Sequence, residues 1–571
     1  MMRGSVLRGL AILLVATASG LVSAAPAGTA YQITGIVVNS VDGAPVPHCR
    51  LTATLTQRNR GPGRQFPAAD GVDADERGRF SITVPSAGAW HLTASAPGYV
   101  SEAYDQHESY SSAIVLTPTA PASDLVFRLP PESTIRGVVL DEAGEAVRNA
   151  RVGLFAQQLP SPGQKTDPYQ VRGFTQTDDR GVYEFASLSP GKYRVLVEAK
   201  PWYANTGQPR RFGAAVAPTT PLVDPSLDVT YQVSWYPGVA DATQADSLVL
   251  RAGDAIKADF HLTPIPATHL RIMQPQTDAN GGRLVPAFPM LERMDVGVPG
   301  VGFASNSFSS LPQGQIDVGG LAPGVYRVRM PEQNSEPRST IIEITSGSTR
   351  VVDFSSAMTD ITNVTVHFDG EDSDDRQFGV ELIDPRTGQH YFPLGGIRPM
   401  PVNGRRGPQL LQPSETSFQV PPGRYEVNFL GRGESYLTGL TAQGADVSGR
   451  FVTLRGGDAV LTLHTAAGRS TVSGIASLAG KPSVGASVLL IPAGLDDPGS
   501  FTAIARDQTN TDGSFELADV IPGQYILVAI EHGWNVNWND PSTLRSYLTQ
   551  GVPLEVHPNA TLKQNLDAQS P

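Results

Sequence analysis

Apolar and polar residues alternate along this chain in short runs, and the runs recur. Ile33-Thr34-Gly35-Ile36-Val37-Val38, Ile135-Arg136-Gly137-Val138-Val139 and Val472-Ser473-Gly474-Ile475-Ala476 each set a glycine inside an alternating strand. A period of two marks a strand with one buried face. A second apolar run follows at 46–53, 150–155 and 486–491. Then comes a polar turn closed by glycine, a spacer and an aromatic: Asp75-Glu76-Arg77-Gly78-Arg79-Phe80, Asp178-Asp179-Arg180-Gly181-Val182-Tyr183 and Asn510-Thr511-Asp512-Gly513-Ser514-Phe515. Such a turn predicts a hairpin with the aromatic facing inward.

Ten residues after each of these glycines stands a second marker, a turn followed by an aromatic-led strand. It occurs five times: Ala87-Gly88-Ala89-Trp90, Pro190-Gly191-Lys192-Tyr193, Pro323-Gly324-Val325-Tyr326, Pro422-Gly423-Arg424-Tyr425 and Pro522-Gly523-Gln524-Tyr525. The third copy keeps the spacing through Gly314. The fourth has only Thr416-Ser417-Phe418-Gln419-Val420 before it, a hairpin shortened or redrawn. Eleven residues past Gly88, Gly191 and Gly523 lie Tyr99, Trp202 and Trp534. Closing strands read Asp124-Leu125-Val126-Phe127-Arg128-Leu129, Ala258-Asp259-Phe260-His261-Leu262, Val351-Val352-Asp353-Phe354 and Leu562-Lys563-Gln564-Asn565-Leu566. No convincing helical period interrupts them.

Repetition at this spacing predicts small β-sandwich domains in series, not one large body. The bounds are 31–130, 133–264, 267–356, 359–467 and 469–568, with the fourth the most divergent. Links are short and carry proline, as in Leu129-Pro130-Pro131-Glu132 and Thr263-Pro264-Ile265-Pro266. They predict a semi-rigid rod or arc. An insertion between Trp202 and Tyr236, rich in Pro, Ala and Thr, reads as an extended surface loop.

Composition agrees. The 571 residues exceed what one core holds, and 58 Gly with 47 Pro suit many turns. At 40% hydrophobic the chain is not disordered overall. A formal charge of -12 without a basic stripe excludes the electrostatic footprint of a nucleic-acid binder. Residues 1–24 read as an export signal. Arg3 and Arg8 precede the apolar run 10–22, and Val22-Ser23-Ala24 offers a small-x-small cleavage site. An uncleaved anchor is the alternative. After cleavage no apolar run long enough to span a bilayer remains. The protein is then periplasmic, displayed on the outer surface or secreted. The single cysteine, Cys49, cannot form an intrachain disulfide, and its alternating run suits a small buried hydrophobe.

The glycine-bearing strand, the Asp-x-x-Gly-x-aromatic turn, Pro-Gly-x-Tyr and Ala96-Pro97-Gly98-Tyr99 together resemble the carboxypeptidase regulatory-like domain family. The match is close for the first, second and fifth units, partial for the third and weak for the fourth. Trp235-Tyr236-Pro237-Gly238, followed by Arg251-Ala252-Gly253-Asp254, is similar to exported bacterial multi-repeat members. The resemblance implies a tandem array of about five seven-stranded transthyretin-like, Ig-like β-sandwiches. It also implies a fold shared with carbohydrate-binding domains. Such a domain accompanies peptidases, outer-membrane receptors or surface proteins and brings no catalytic residues.

The residues themselves offer little for catalysis. None of the ten histidines begins His-x-x-Glu, Gly-x-Ser-x-Gly is absent, and there is no phosphate-binding glycine loop. No cofactor or metal is expected. Acidic clusters at Asp70, Asp73, Asp75 and Glu76, and at Asp369, Glu371, Asp372, Asp374 and Asp375, lack EF-hand spacing and read as solvated turns. The aromatics offer more. Trp202, Tyr203, Trp235, Tyr236, Trp534, Trp538 and Tyr547 fall in or beside predicted loops of the second and fifth units. Flat rings stack on sugars, and Asn535, Asn537, Asn539 and Asp540 could bond hydroxyls. Trp202 and Trp534 share Tyr99's register, so they are read as end plugs. Trp235, Tyr236, Trp538, Asn537, Asn539 and Tyr547 remain as the candidate ligand residues. The expectation is a non-enzymatic exported module for binding, display or structure at the cell envelope, its partner a glycan or an envelope protein. The alternatives are a carbohydrate-binding protein and an accessory subunit of a secreted hydrolase or outer-membrane receptor.

Overall fold

A computed structural model describes residues 31–56, 69–118, 122–157, 169–204, 225–274, 288–293, 307–311, 315–330, 338–345, 349–354, 362–370, 379–385, 390–391, 416–430, 434–494, 500–536 and 541–570. The predicted export signal, Trp538, Asn537 and Asn539 lie outside these residues.

The regular structure of the described chain is almost entirely strand. One arrangement recurs five times. An opening strand lies between an antiparallel strand from the hairpin and a parallel closing strand. In the first unit Tyr31–Asn39 lies between Arg79–Val84 and Ala122–Leu129. In the second, Ser133–Leu140 lies between Val182–Leu188 and the pair Ala255–Lys257 and Phe260–His261. Thr268–Met273, Thr362–Asp369 and Ser470–Leu478 hold the same place in the later units. A second sheet built around the Pro-Gly-x-Tyr strand packs across each one. Between the layers sits one apolar cluster per unit, as with Ile33, Leu51, Phe80, Trp90 and Phe127 in the first. The third and fourth units share this topology although their sequence markers are weaker.

Two markers now have physical causes. The opening-strand glycine sits where the closing strand bulges against it. A Cβ at Gly35 would stand 2.3 Å from the Leu125 carbonyl oxygen, and at Gly137 and Gly474 only 1.9 Å from those of Ala258 and Gln564. Only glycine admits such an approach. The turn aromatics Phe80, Tyr183 and Phe515 lie over the gap.

The motif aromatic anchors its own turn. Tyr193, Tyr326, Tyr425 and Tyr525 each donate their hydroxyl to the carbonyl four residues earlier, at 2.8, 2.8, 2.8 and 2.6 Å. Trp90 does the same through its indole N–H, 3.1 Å from the Ser86 carbonyl. The ring fills the core while the polar tip satisfies a turn carbonyl, which is why Tyr or Trp and not Phe occupies the site.

Two expectations change. The insertion before Tyr236 is not all loop. Val229–Tyr231 pairs with Pro264–Pro266, and Ser234–Trp235 joins Gly191–Glu198. Among the described residues there is also one α-helix, Pro541–Leu548, which sets Leu544 onto Leu489, Ile491, Val528 and Ile530.

Neighbouring units touch at every joint. The link between the first and second is held from both sides: Glu132 N–H donates to the Gly98 carbonyl of the first unit, and Gly253 N–H of the second donates to the Pro131 carbonyl. His269 sits between Asp228 and Asp317 at the second joint. Buried Arg327 of the third unit stacks over Tyr391 of the fourth. Phe501 of the fifth packs on the fourth core. The first and fifth units also meet, through Ser112 and Thr509 among others. Of the expected rod or arc, the contact of the first and fifth units fits the arc.

Candidate functional site

The aromatics singled out in the second unit occupy unlike positions. Trp235 is only 4% exposed. Its strand pairs with Gly191–Glu198, which turns the ring onto Phe155, 4.8 Å away, beside Leu196 and Val233. Tyr236 lies edge-on to Phe260, 5.9 Å away, against the main core. Both rings pack inward, which corrects the expectation of free faces at these positions. The reason is the extra strand within the insertion, which local pattern did not reveal.

Trp202, read as a plug, is the opposite: it is 86% exposed. It sits in the turn after Gly191–Glu198, where Ala204 N–H closes back on the Pro201 carbonyl at 3.1 Å. Tyr203 stands perpendicular to it, with centroids 5.7 Å apart. The Tyr203 hydroxyl donates to Glu142 Oε1, and Tyr231 donates to Glu142 Oε2 at 3.0 Å. Glu142 rides on a tight turn in which Asp141 accepts from the backbone N–H of Ala143 and Glu145. Burial pushes the Glu142 carboxyl up, but the hydrogen bonds from Tyr203, its own backbone and Tyr231 outweigh that and hold it low. The Tyr203 phenol, bonded to that carboxylate, is pushed up to about 12. The result is an open indole face beside a fixed carboxylate, a chemistry suited to stacking and to accepting hydroxyl hydrogens.

In the fifth unit Trp534 is half-buried, with its indole N–H donating to the Gly485 carbonyl at 2.9 Å. Its ring stacks on His107 of the first unit, centroids 5.4 Å apart and planes 8° from parallel. It plugs the junction between two units, not the end of its own. Tyr547 lies on the helix, partly buried against Leu489 and its neighbours, not on a loop.

The polar groups weighed as metal ligands are held by structural partners. Asp73 pairs with Arg50 at 3.1 Å, and Asp75 accepts from Arg77 and Arg79 N–H within its turn. Asp369 bonds His464 at 3.0 Å; the rest of that acidic cluster lies outside the described residues. Among the described residues, no group of three or more His, Cys, Asp or Glu is placed to hold a metal ion. Cys49 is fully buried, and burial pushes its thiol up to about 11. No helix among the described residues is long and apolar enough to cross a membrane.

Sequence comparison identifies the repeat. Residues 32–129 and 134–214 match the carboxypeptidase regulatory-like domain. The chain carries this domain in tandem. A search of curated proteins finds no match. Solved structures that a search matches to the chain include the Bacillus anthracis TIE protein, at 9% identity over 96% of this chain and 76% of that one, with a TM-score of 0.16. The Streptococcal ancillary pilin matches at 13% identity over 57% of this chain and 98% of that one, TM-score 0.21. BcpA, the major pilin subunit of Bacillus cereus, matches at 10% identity over 76% and 99%, TM-score 0.14.

The residues of the first–fifth junction, Asp105, His107, Tyr110, Ser112 and Gln508, were not visible as a group in the sequence. Only one signal pointed there: Asn510 stands where the first and second units have Asp75 and Asp178.

Proposed function

We propose that this protein is a non-enzymatic, exported array of β-sandwich domains, bounded at 31–130, 133–264, 267–356, 359–467 and 469–568, that acts as a binding or display module at the cell envelope. One observation supports this most. The repeated polar side chains hold turns: the motif tyrosines reach back to turn carbonyls, and Asp75 and Asp178 cap theirs. Chemistry-bearing groups fixed in this way build a scaffold and leave function to surfaces. The apolar leader with Ala24 before the cut supports export. Intact mass of the protein recovered from the envelope or medium tests this. The expected chain begins at Ala25; a full-length chain confined to the cytoplasm overturns the proposal.

A second reading is glycan binding, with Trp202 as the stacking face and Glu142 beside it. The exposure of Trp202 favours it. Trp538, Asn537 and Asn539 stay candidates for the fifth unit. A glycan array read with wild type and with Trp202→Ala and Trp538→Ala decides it. Signal lost in either variant supports the reading, and no signal in wild type ends it.

A further inference from the structure

The junction of the first and fifth units joins residues 396 to 403 positions apart, and it is densely bonded. At its centre lies Gln508, 1% exposed. Its amide donates to the Asp105 carbonyl at 2.5 Å and to the Ser112 hydroxyl at 2.9 Å, and its oxygen lies 3.2 Å from His107 Nδ1. Ser112 donates to the Thr509 carbonyl at 2.8 Å. Backbone joins in: Ala113 N–H donates to Asn510 Oδ1 at 2.9 Å, Thr511 N–H to the Ala113 carbonyl at 3.1 Å, and Val115 N–H to Thr511 Oγ1 at 2.9 Å. At the rim Arg506 pairs with Glu108 at 3.3 Å and lies over the rings of Tyr110 and Trp534.

The fifth unit's turn differs chemically from its counterparts in the way this contact requires. In the first and second units the turn aspartate accepts two backbone N–H groups of its own turn. In the fifth, Asn510 turns its oxygen outward to Ala113 and its amide to Ser514 Oγ, while Asp512 accepts from Ser514 N–H. A repeat position has been changed from self-capping to docking.

We propose that these two faces are a built docking pair that serves self-association: when the ring opens, the fifth unit of one copy takes the first unit of a second copy. Every copy carries both halves, and the two halves are different surfaces. Such a heterologous contact closes on itself within one chain or links chains in series. The face is mainly polar with one tryptophan anchor, so both halves stay soluble when apart. Because one chain carries both faces, closure within a chain does not depend on concentration while exchange between chains rises with it, so dilute protein stays closed and crowded protein exchanges.

The test uses the full chain in two variants. His107→Ala/Tyr110→Ala damages the first face; Gln508→Ala/Trp534→Ala damages the fifth. Each alone is expected to remain a monomer with an enlarged hydrodynamic radius. Mixed in equal amounts they are expected to double in mass by light scattering, as the intact fifth face of one meets the intact first face of the other. Assembly then stops at two, because only damaged faces remain. Should a ring truncation unfold its unit by circular dichroism, Ser112→Asp and Gln508→Glu, which add charge beside Asp105 without removing a ring, supply the same pair. A mixture that stays at monomer mass, or variants that keep the wild-type radius, overturns the proposal.

Discussion

The second and fifth units place a tryptophan at the same distance from the same glycine, yet the two rings meet different fates. Trp534 is stacked on His107, tilted against Tyr110 and tied to Gly485. Trp202 is 86% exposed and touches Tyr203 edge-on. Tyr99, at the same register in the first unit, is packed on its own core and bridged to Pro131 of the next joint. The register therefore specifies an aromatic at the mouth of a sandwich. What covers that mouth is decided by the neighbour.

The strongest way to break this comparison is to truncate both rings. Trp534→Ala should cost about 2 kcal/mol or more, below the full core value because the ring is half-exposed. Trp202→Ala should stay within about 0.5 kcal/mol. Urea melts followed on the second and fifth units check this, and equal costs would end the distinction.

Next in size is the motif tyrosine, which the two units share. Tyr193→Phe and Tyr525→Phe each strand a turn carbonyl, so about 1–2 kcal/mol is expected in both units alike. Thermal melts of the two variants provide the check. A loss in one unit alone would show that the units differ at their cores as well as at their mouths.

The third effect concerns the second unit's joint with the third. His269 is bonded to Asp317 and to Asp228, at 2.7 and 3.0 Å, with the Arg271 guanidinium 3.9 Å from Asp317. The Asp317 hydrogen bond leads in raising its pKa to about 9, with burial opposing. A pKa raised above the usual 6.5 means the stabilisation is complete below about pH 6.5 and is lost as pH rises through about 9. The melting temperature of wild type should fall between pH 7 and pH 10, and His269→Gln should flatten that fall. An unchanged slope in the variant would remove His269 as its source.

The smallest effect is at the open mouth itself. Glu142→Gln should lower the Tyr203 phenol from about 12 toward its ordinary value near 10, with little change in stability. Ultraviolet titration reads it directly. A phenol that stays high would mean that the carboxylate is not its partner.

Much of the fold was legible because its constraints are local. Gly35, Gly137 and Gly474 mark a backbone approach that admits no side chain, and alternation marks each strand. Pro-Gly-x-Tyr and the residue just before it hold both ends of one hydrogen bond within a single turn. The weak third and fourth units obey the same topology, since a hairpin and a parallel return strand can be built from many sequences. The candidate site was legible only as residue types. Trp235 was misplaced because an extra strand, Ser234–Trp235, pairs with a strand about 40 residues earlier, and no short-range pattern announces that pairing. Tyr547 was misplaced because the helix carrying it spans only two turns, too few to display a period.

By itself, then, the sequence determined the repeat: where strands alternate, where a turn needs glycine, and which aromatic anchors it. These are properties of neighbours within a few residues, and local sterics and hydrogen bonding dictate them. The tertiary structure alone decided which mouth is open and which is closed, and that the two ends of the chain meet. Those outcomes depend on how successive joints add up across hundreds of residues, and on side chains such as Gln508 and Asn510 whose partners lie at the far end of the chain.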